Sequence, residues 1–382
     1  MDFESLFDIP IDDLHTPCYL TDARLLQKNT ALLKQIQQRT GCKILLAQKA
    51  FSMFSAYPLI RDDLAGTTAS GLFEAKLGRE HFGKEVHVFS PAYTQEDFTQ
   101  LLELCDHIVF NSFGQWKKYR QQVQDATRNI SCGIRINPGY AEVETDLYNP
   151  CISGSRMGVP LEQMEDDFAG LDGIHFHTMC EQYSDVLERT LDHMLPQFDK
   201  WLKRCKWVNF GGGHHITRPD YDVERLVRCI ERVRDTYGVQ VYLEPGEAVA
   251  LNAGYLVATV LDVVHNGMDI AILDASAACH MPDVLEMPYR PHILYSGTAG
   301  EKTHTYRLAG NTCLAGDVIG DYSFDHQLQA GEKLVFCDMA IYSMVKNNTF
   351  NGVPLPDIAL YQNGHIDLVK RFGYADFEGR LS

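Results

Sequence analysis

Lys43-Ile44-Leu45-Leu46-Ala47-Gln48-Lys49-Ala50 sets an unbroken apolar run between two lysines. A run this short and this apolar suits a strand buried on both faces, as in a parallel sheet, better than a helix. Seven comparable runs follow, at residues 65–69, 85–90, 107–110, 132–137, 173–177, 207–211 and 241–245. Amphipathic stretches separate most of them, among them residues 72–82, 97–105, 183–203 and 223–237. Eight strand–helix repeats in succession predict an α/β fold, a closed (β/α)8 barrel of parallel strands. Residues 65–69 are the least typical strand, being small and threonine-rich where the others are bulky.

After about residue 260 the pattern changes. Strand-like runs at 269–273, 292–295, 303–308, 333–336, 357–361 and 365–369 follow one another without long helices. Such a series predicts a second, mostly antiparallel β-domain. Residues 17–21 also read as a strand and precede the first barrel helix, so they are assigned to that β-domain. The expected division is a barrel over 23–262 and a β-domain from 1–22 and 263–382.

At 382 residues the chain is long enough for these two domains and a large core. The formal net charge of −17 argues against nucleic acid and anionic membranes as partners. It is compatible with a cationic small substrate, though acidity of this kind serves solubility alone in many proteins. The first ten residues carry acids instead of a basic segment before an apolar run, and no apolar run would span a bilayer, so a cytoplasmic protein is expected. The 11 cysteines are scattered, odd in number and never spaced two or three apart, which predicts reduced thiols and no structural zinc.

Barrel enzymes carry their reactive groups where strands end at the C-terminal face. Here those ends are Lys49, Ser70, Ser90, Asn111, Arg135, His177, the run Gly211-Gly212-Gly213, and Glu244. A lysine held against a buried strand end loses hydration and becomes a nucleophilic amine. Taken alone, Lys49 reads more readily as a snorkelling surface lysine. Backbone amides of Gly211, Gly212 and Gly213 could approach a phosphate after the seventh strand, or the glycines could simply make a tight turn. Glu244 could face a pyridine nitrogen or sit in a buried ion pair. His175 and His177 alternate onto one face of their strand; one could stack on a flat ring, and His175 is expected to be a satisfied core residue.

Together these residues resemble the alanine-racemase-like group of pyridoxal-phosphate (PLP) enzymes, and within it the ornithine and diaminopimelate decarboxylases. The resemblance runs from about Thr16 to Phe372. Leu46-Ala47-Gln48-Lys49-Ala50 is similar to the segment whose lysine holds the cofactor. Gly173-Ile174-His175-Phe176-His177 resembles the strand whose second histidine stacks on the cofactor ring, Asn209-Phe210-Gly211-Gly212-Gly213 the phosphate loop, and Glu244-Pro245-Gly246 the ring-nitrogen motif. In the second domain, Cys313-Leu314-Ala315-Gly316-Asp317 resembles a segment that reaches the partner subunit's site, and Tyr342, eight residues before Phe350-Asn351-Gly352, the tyrosine that contacts phosphate.

The resemblance implies PLP as cofactor, a homodimer with shared active sites, Lys49, His177 and Cys313 as catalytic residues, and Cys313 as the donor that returns a proton to Cα. Departures narrow it. Glu247 follows Glu-Pro-Gly where the family usually has arginine, Gly310-Asn311 stands for Gly-Pro, and Ala315 for serine. These, with His177-Thr178-Met179-Cys180-Glu181 and Ala278-Cys279-His280-Met281-Pro282, resemble the branch whose members decarboxylate carboxynorspermidine and carboxyspermidine. Glu247, Asp274, His280 and Asp317 are then candidate acceptors for the amines of a cationic carboxylated triamine. The alternatives are a diaminopimelate or other basic amino acid decarboxylase, a racemase of the same fold, a PLP carrier without catalysis, and a metal-dependent hydrolase using His175, His177, His214 and His215. The carrier reading is weakened by the long chain beyond the barrel.

Overall fold

The structure, a computed structural model, describes Glu4 and residues 7–382. The chain divides into two compact units, one over Gln27–Val249 and the other made of residues up to Leu26 with Ala250–Ser382.

In the first unit eight strands form one ring: β2 (Lys43–Ala47), β3 (Gly66–Ala69), β4 (Glu85–Phe89), β5 (His107–Phe110), β6 (Ser131–Asn137), β7 (Gly173–His175), β8 (Trp207–Asn209) and β9 (Gln240–Leu243). Every neighbouring pair is parallel. The ring closes where β9 meets β2, with Tyr242 opposite Lys43 and Leu243 opposite Ile44. The expected (β/α)8 barrel is therefore what the chain forms. Strands β7, β8 and β9 end earlier than the apolar runs suggested, so His177, Gly211 and Glu244, like Lys49, lie just beyond strand ends. The small strand β3 is wholly buried despite its threonines.

The helices follow from spacing and caps. In Val223–Tyr237 the buried residues Leu226, Val227, Cys229, Ile230 and Val233 recur at three- and four-residue steps and make one apolar stripe. Asp222 caps the first turn by accepting from the Arg225 amide, and Gly238 ends the helix at φ 65°. The barrel interior toward the N-terminal strand ends is partly polar. There His87 and His107 stack with ring centroids 3.9 Å apart, and Glu85 takes hydrogen bonds from Lys43 and Tyr242. Trp207 fills the space between them and the wall. A Cβ on Gly173 or Gly133 would lie 2.0 or 2.2 Å from its ring, so only glycine fits those two strands.

The second unit is a mostly antiparallel sheet built on β1 (Cys18–Asp22) and the strands β10 (Gly254–His265), β11 (Asp269–Leu273), β12 (His304–Ala309), β13 (Val318–Phe324), β14 (Lys333–Cys337), β15 (Asp357–Gln362) and β16 (His365–Lys370). Two-residue strand Gly297–Thr298 leads the order β13-β12-β11-β10-β1-β15-β16, with β14 also on β10. Pairings β1–β15 and β11–β12 are parallel. Alternation along β10 sends Leu256, Ala258 and Val260 into one apolar cluster and Tyr255 and Val257 into another, so the strand is covered on both faces.

This explains where the sequence-based boundary falls short. A break at 262 cuts through β10, whereas that strand pairs with β1, β11 and β14 of the second unit. Strand β13 was not anticipated. Residues 292–295, read as a strand, make only an isolated bridge from Ile293 to Phe336. No helix among the described residues is long and apolar enough to cross a membrane.

Candidate active site

A cleft opens among the C-terminal ends of the barrel strands. It is lined by Ala47, Lys49, Thr68, Ala69, Ser70, Phe89, Arg135, His175, His177, Gly212 and Glu244. Lys49, His177, Glu244 and, from the glycine run, Gly212 thus converge on one space.

Lys49 lines the cleft and is exposed by surface area, with protein atoms packed around it. Withdrawal from bulk water lowers its pKa below the usual lysine value, and the nearby Arg135 charge lowers it further, against opposing pulls from Glu244 and Glu74. Because the side chain remains reachable from the cleft, we take from this a more nucleophilic amine and no stability term.

Glu244 is buried, and both carboxylate oxygens have partners. Asn209 Nδ2 donates to Oε1 at 2.7 Å, and His175 Nε2 lies 3.2 Å from Oε2. Burial pushes the carboxyl up, but His175 and Asn209 outweigh it and hold the pKa at about 2. Burial also keeps His175 below its ordinary value, against the pull of Glu244. A proton on His175 Nε2 serves this contact, and Nδ1 has no hydrogen-bond partner. His175 is therefore the orienting partner of Glu244, a sharper role than the satisfied core residue expected for it.

His177 accepts from the Gly212 amide at Nδ1, 2.8 Å away. Burial, followed by Lys49 and Arg135, drives its pKa well below the usual range, so it is a neutral ring with its proton on Nε2. The glycine run is needed for lack of side chains. A Cβ on Gly212 would lie 2.7 Å from the Glu244 carbonyl and 3.3 Å from His177 Cε1. Gly213, at φ +83°, would place a Cβ 2.0 Å from the Met179 carbonyl. The Gly211 amide donates to Asn209 Oδ1 and the Gly212 amide to His177 Nδ1.

Arg135, named in the sequence only as a strand end, stacks its guanidinium 4.6 Å over Phe89 and donates to the His177 carbonyl at 3.1 Å. Burial lowers its pKa to about 10, so it stays cationic. Glu74 was missed. It reaches back from the first turn of Leu72–Leu77 to the Ser70 amide at 2.6 Å, and burial raises its pKa beside Lys49. An acid in a first helical turn after a strand end is the signal that could have found it. Asn209 was quoted only as part of a motif, yet it ties Glu244 to the glycine turn.

The remaining candidates are not among the residues that line the cleft. Glu247 is not among the cleft residues; its Oε2 lies 3.1 Å from His215 Nε2. His214 turns Nε2 to the Phe210 carbonyl at 3.4 Å, so the four-histidine hydrolase set does not converge. Cys313, Tyr342, Asp274, His280 and Asp317 belong to the second unit. Cys313 is exposed, and its amide donates to Asn351 Oδ1. Tyr342 sits at φ 49°. Asp317 is a buried loop anchor that accepts from Ser276 Oγ, Thr312 Oγ1 and the Ala278 amide. His280 is buried between the Ser276 amide and the Pro354 carbonyl, with its pKa lowered to about 4 by burial. Asp274 accepts from the Thr259 amide and Thr16 Oγ1. Each of these three groups thus has hydrogen-bond partners within its own unit.

The residues present fit a pyridoxal phosphate. An amine of lowered pKa, a buried carboxylate held ionised, a flat neutral imidazole and a glycine that leaves room beside it line one cleft.

The model of pyridoxal-dependent decarboxylases, C-terminal sheet domain, matches residues 18–340. The chain is 42% identical to a carboxynorspermidine/carboxyspermidine decarboxylase of Campylobacter jejuni, over 97% of this chain and 99% of that protein. It is 41% identical to a carboxyaminopropylagmatine decarboxylase of Synechocystis, over 97% of this chain and 96% of that protein. The crystal structure of carboxynorspermidine decarboxylase complexed with norspermidine from Campylobacter jejuni superposes with a TM-score of 0.89 at 41% identity, covering 96% of this chain and 100% of that one. Diaminopimelate decarboxylases are more distant, that of Escherichia coli K12 being 22% identical.

Proposed function

The chain belongs to the pyridoxal-dependent decarboxylases, and from that premise we propose that it decarboxylates carboxynorspermidine and carboxyspermidine to norspermidine and spermidine, in polyamine biosynthesis. The observation that carries the reading is the convergence of Lys49, Glu244, His177 and Gly212 on one cleft. The high identity to the two decarboxylases of that substrate class supports it, and the 22% identity to diaminopimelate enzymes makes that alternative the weaker one.

Pyridoxal phosphate, when bound, supplies an aldehyde that bonds amines and a protonated ring that accepts the electrons left as CO2 departs. Lys49 Nζ is the amine that would hold it, and its lowered pKa raises the fraction free to bond. Glu244, ionised well below neutral pH, favours a proton on a ring nitrogen set against it. His175 and Asn209 fix that carboxylate in place. His177 offers a neutral ring face, its plane set by the Gly212 amide. Arg135 adds a fixed positive charge at the cleft. Cys313 would return a proton to Cα from the partner subunit, and Tyr342 would contact the phosphate; both follow from family resemblance. So does a homodimer. Its place in the cytoplasm is supported by the free state of all the cysteines.

A substrate panel tests the reading: carboxynorspermidine, carboxyspermidine, carboxyaminopropylagmatine, diaminopimelate, ornithine, lysine and arginine, with CO2 release measured. The two carboxylated triamines should give the highest kcat/KM. A win for diaminopimelate would overturn it, and a win for carboxyaminopropylagmatine would move the assignment to the second reading, which the Synechocystis relative favours. Borohydride reduction of the yellow protein should attach the cofactor to Lys49.

A further inference from the structure

Three loops at the C-terminal rim of the barrel bring together side chains that the cleft does not use. Glu181 follows β7, His215 follows β8 and the glycine run, and Glu247 follows β9. One ligand atom from each lies within 4.8 Å of the others. We propose that Glu181, His215 and Glu247 bind one divalent transition-metal ion.

The central observation is His215. It is 3% exposed, yet neither ring nitrogen makes a hydrogen bond. Leaving a buried polar atom unpaired is unfavourable, so such a group points to a missing partner. Its Nε2 lies 3.1 Å from Glu247 Oε2 but out of hydrogen-bonding alignment. That separation decides what kind of cation fits. Two ligands of a tetrahedral ion with bonds of about 2.0–2.1 Å stand about 3.3 Å apart. Two acceptors around an ammonium, each about 2.8 Å from its nitrogen, stand about 4.6 Å apart. The pair is at metal spacing. Two carboxylates neutralise a divalent charge, the imidazole favours zinc over magnesium or calcium, and the carboxylates also suit manganese.

A second cluster, Glu85 with His87 and His107, meets the same distance limit. It is the poorer candidate, since the Lys43 ammonium already donates to Glu85 and the two imidazoles stack within 8° of parallel, so their in-plane lone pairs do not converge. The proposed ion would instead tie three βα loops together two residues beyond Gly213. It is independent of the substrate assignment, and it adds a histidine–glutamate site where the cysteine spacing offered none.

The test uses the full-length holoenzyme, stripped with EDTA and titrated with Mn²⁺ followed by electron paramagnetic resonance, and with Zn²⁺ by calorimetry. Manganese avoids the thiols, which take up zinc on their own. We expect one saturable Mn²⁺ per chain. Glu181→Gln, at an exposed position, and His215→Asn should each weaken binding more than about tenfold, since even changes outside the ligand set reach that size. Glu85→Gln should leave it unchanged. The proposal fails if no saturable Mn²⁺ binds, or if Glu181→Gln and His215→Asn bind it as well as the parent protein. It also fails if Glu181→Gln weakens norspermidine binding while no metal binds, which would make the site an ammonium pocket. Should His215→Asn not fold, Glu181→Gln alone decides.

Discussion

Asn209→Ala removes one side chain that holds two parts of the site. Its Nδ2 donates to the Glu244 carboxylate at 2.7 Å and its Oδ1 accepts from the Gly211 amide at 2.8 Å. The residue is 1% exposed, so water does not readily replace either partner. A hydrogen bond to a charged group contributes about 1.5–3 kcal/mol and a neutral one about 0.5–1.5, so the expected loss is roughly 2–4 kcal/mol. For a unit of this size that is a fall in Tm of roughly 4–16 °C. The carboxylate also loses one of the groups that hold it at about 2. Glu244 has a folded pKa below its unfolded value, so its contribution to stability is present above the unfolded pKa and is lost as pH falls through the folded one. With Asn209 gone the folded pKa rises, and the acid limb of the stability profile moves to higher pH. Thermal melts of the cofactor-free protein across the acid range read both effects. A change in Tm under 1 °C with an unmoved acid limb would refute the reasoning that Asn209 couples Glu244 to the glycine turn.

Three further outcomes follow from the same contacts. Gly213→Ala should fail to accumulate as soluble protein, because φ +83° and a 2.0 Å approach to the Met179 carbonyl both oppose a side chain, whereas Gly212→Ala should fold and lose cofactor affinity about tenfold or more as the His177 ring is displaced; absorbance titration with pyridoxal phosphate separates the two. In the cofactor-free protein, trinitrobenzenesulfonate should label Lys49 with a midpoint below the ordinary lysine value of 10.5, and a midpoint at or above it would contradict the crowding described. Asp317→Ala should lower Tm through loss of three donors, including Ser276 Oγ at 2.8 Å, and an unchanged melt would show that Asp317 is not the loop anchor inferred.

The barrel was legible because each of its strands is a local composition. Eight short apolar runs with helical patterns between them leave few arrangements, since parallel strands must be buried on both faces and linked by crossovers. The groups at the strand ends were legible for the same reason: Lys49, His177, Gly212 and Glu244 each stand next to a run whose end could be seen. What the chain order could not convey is which side chain meets which across the ring. Glu244 is held by His175 and Asn209, from two other strands, through a register that exists only once β7, β8 and β9 align. The boundary at β10 was hidden because a continuous β-rich run says nothing about its partners, and those are β1, β11 and β14. Asp317 and His280 look the same in sequence whether exposed or saturated; only the fold shows both buried and bonded to Ser276. Residue chemistry and strand period are local and survive in the sequence alone, whereas partner choice depends on distances between positions far apart in the chain, which only the closed fold sets.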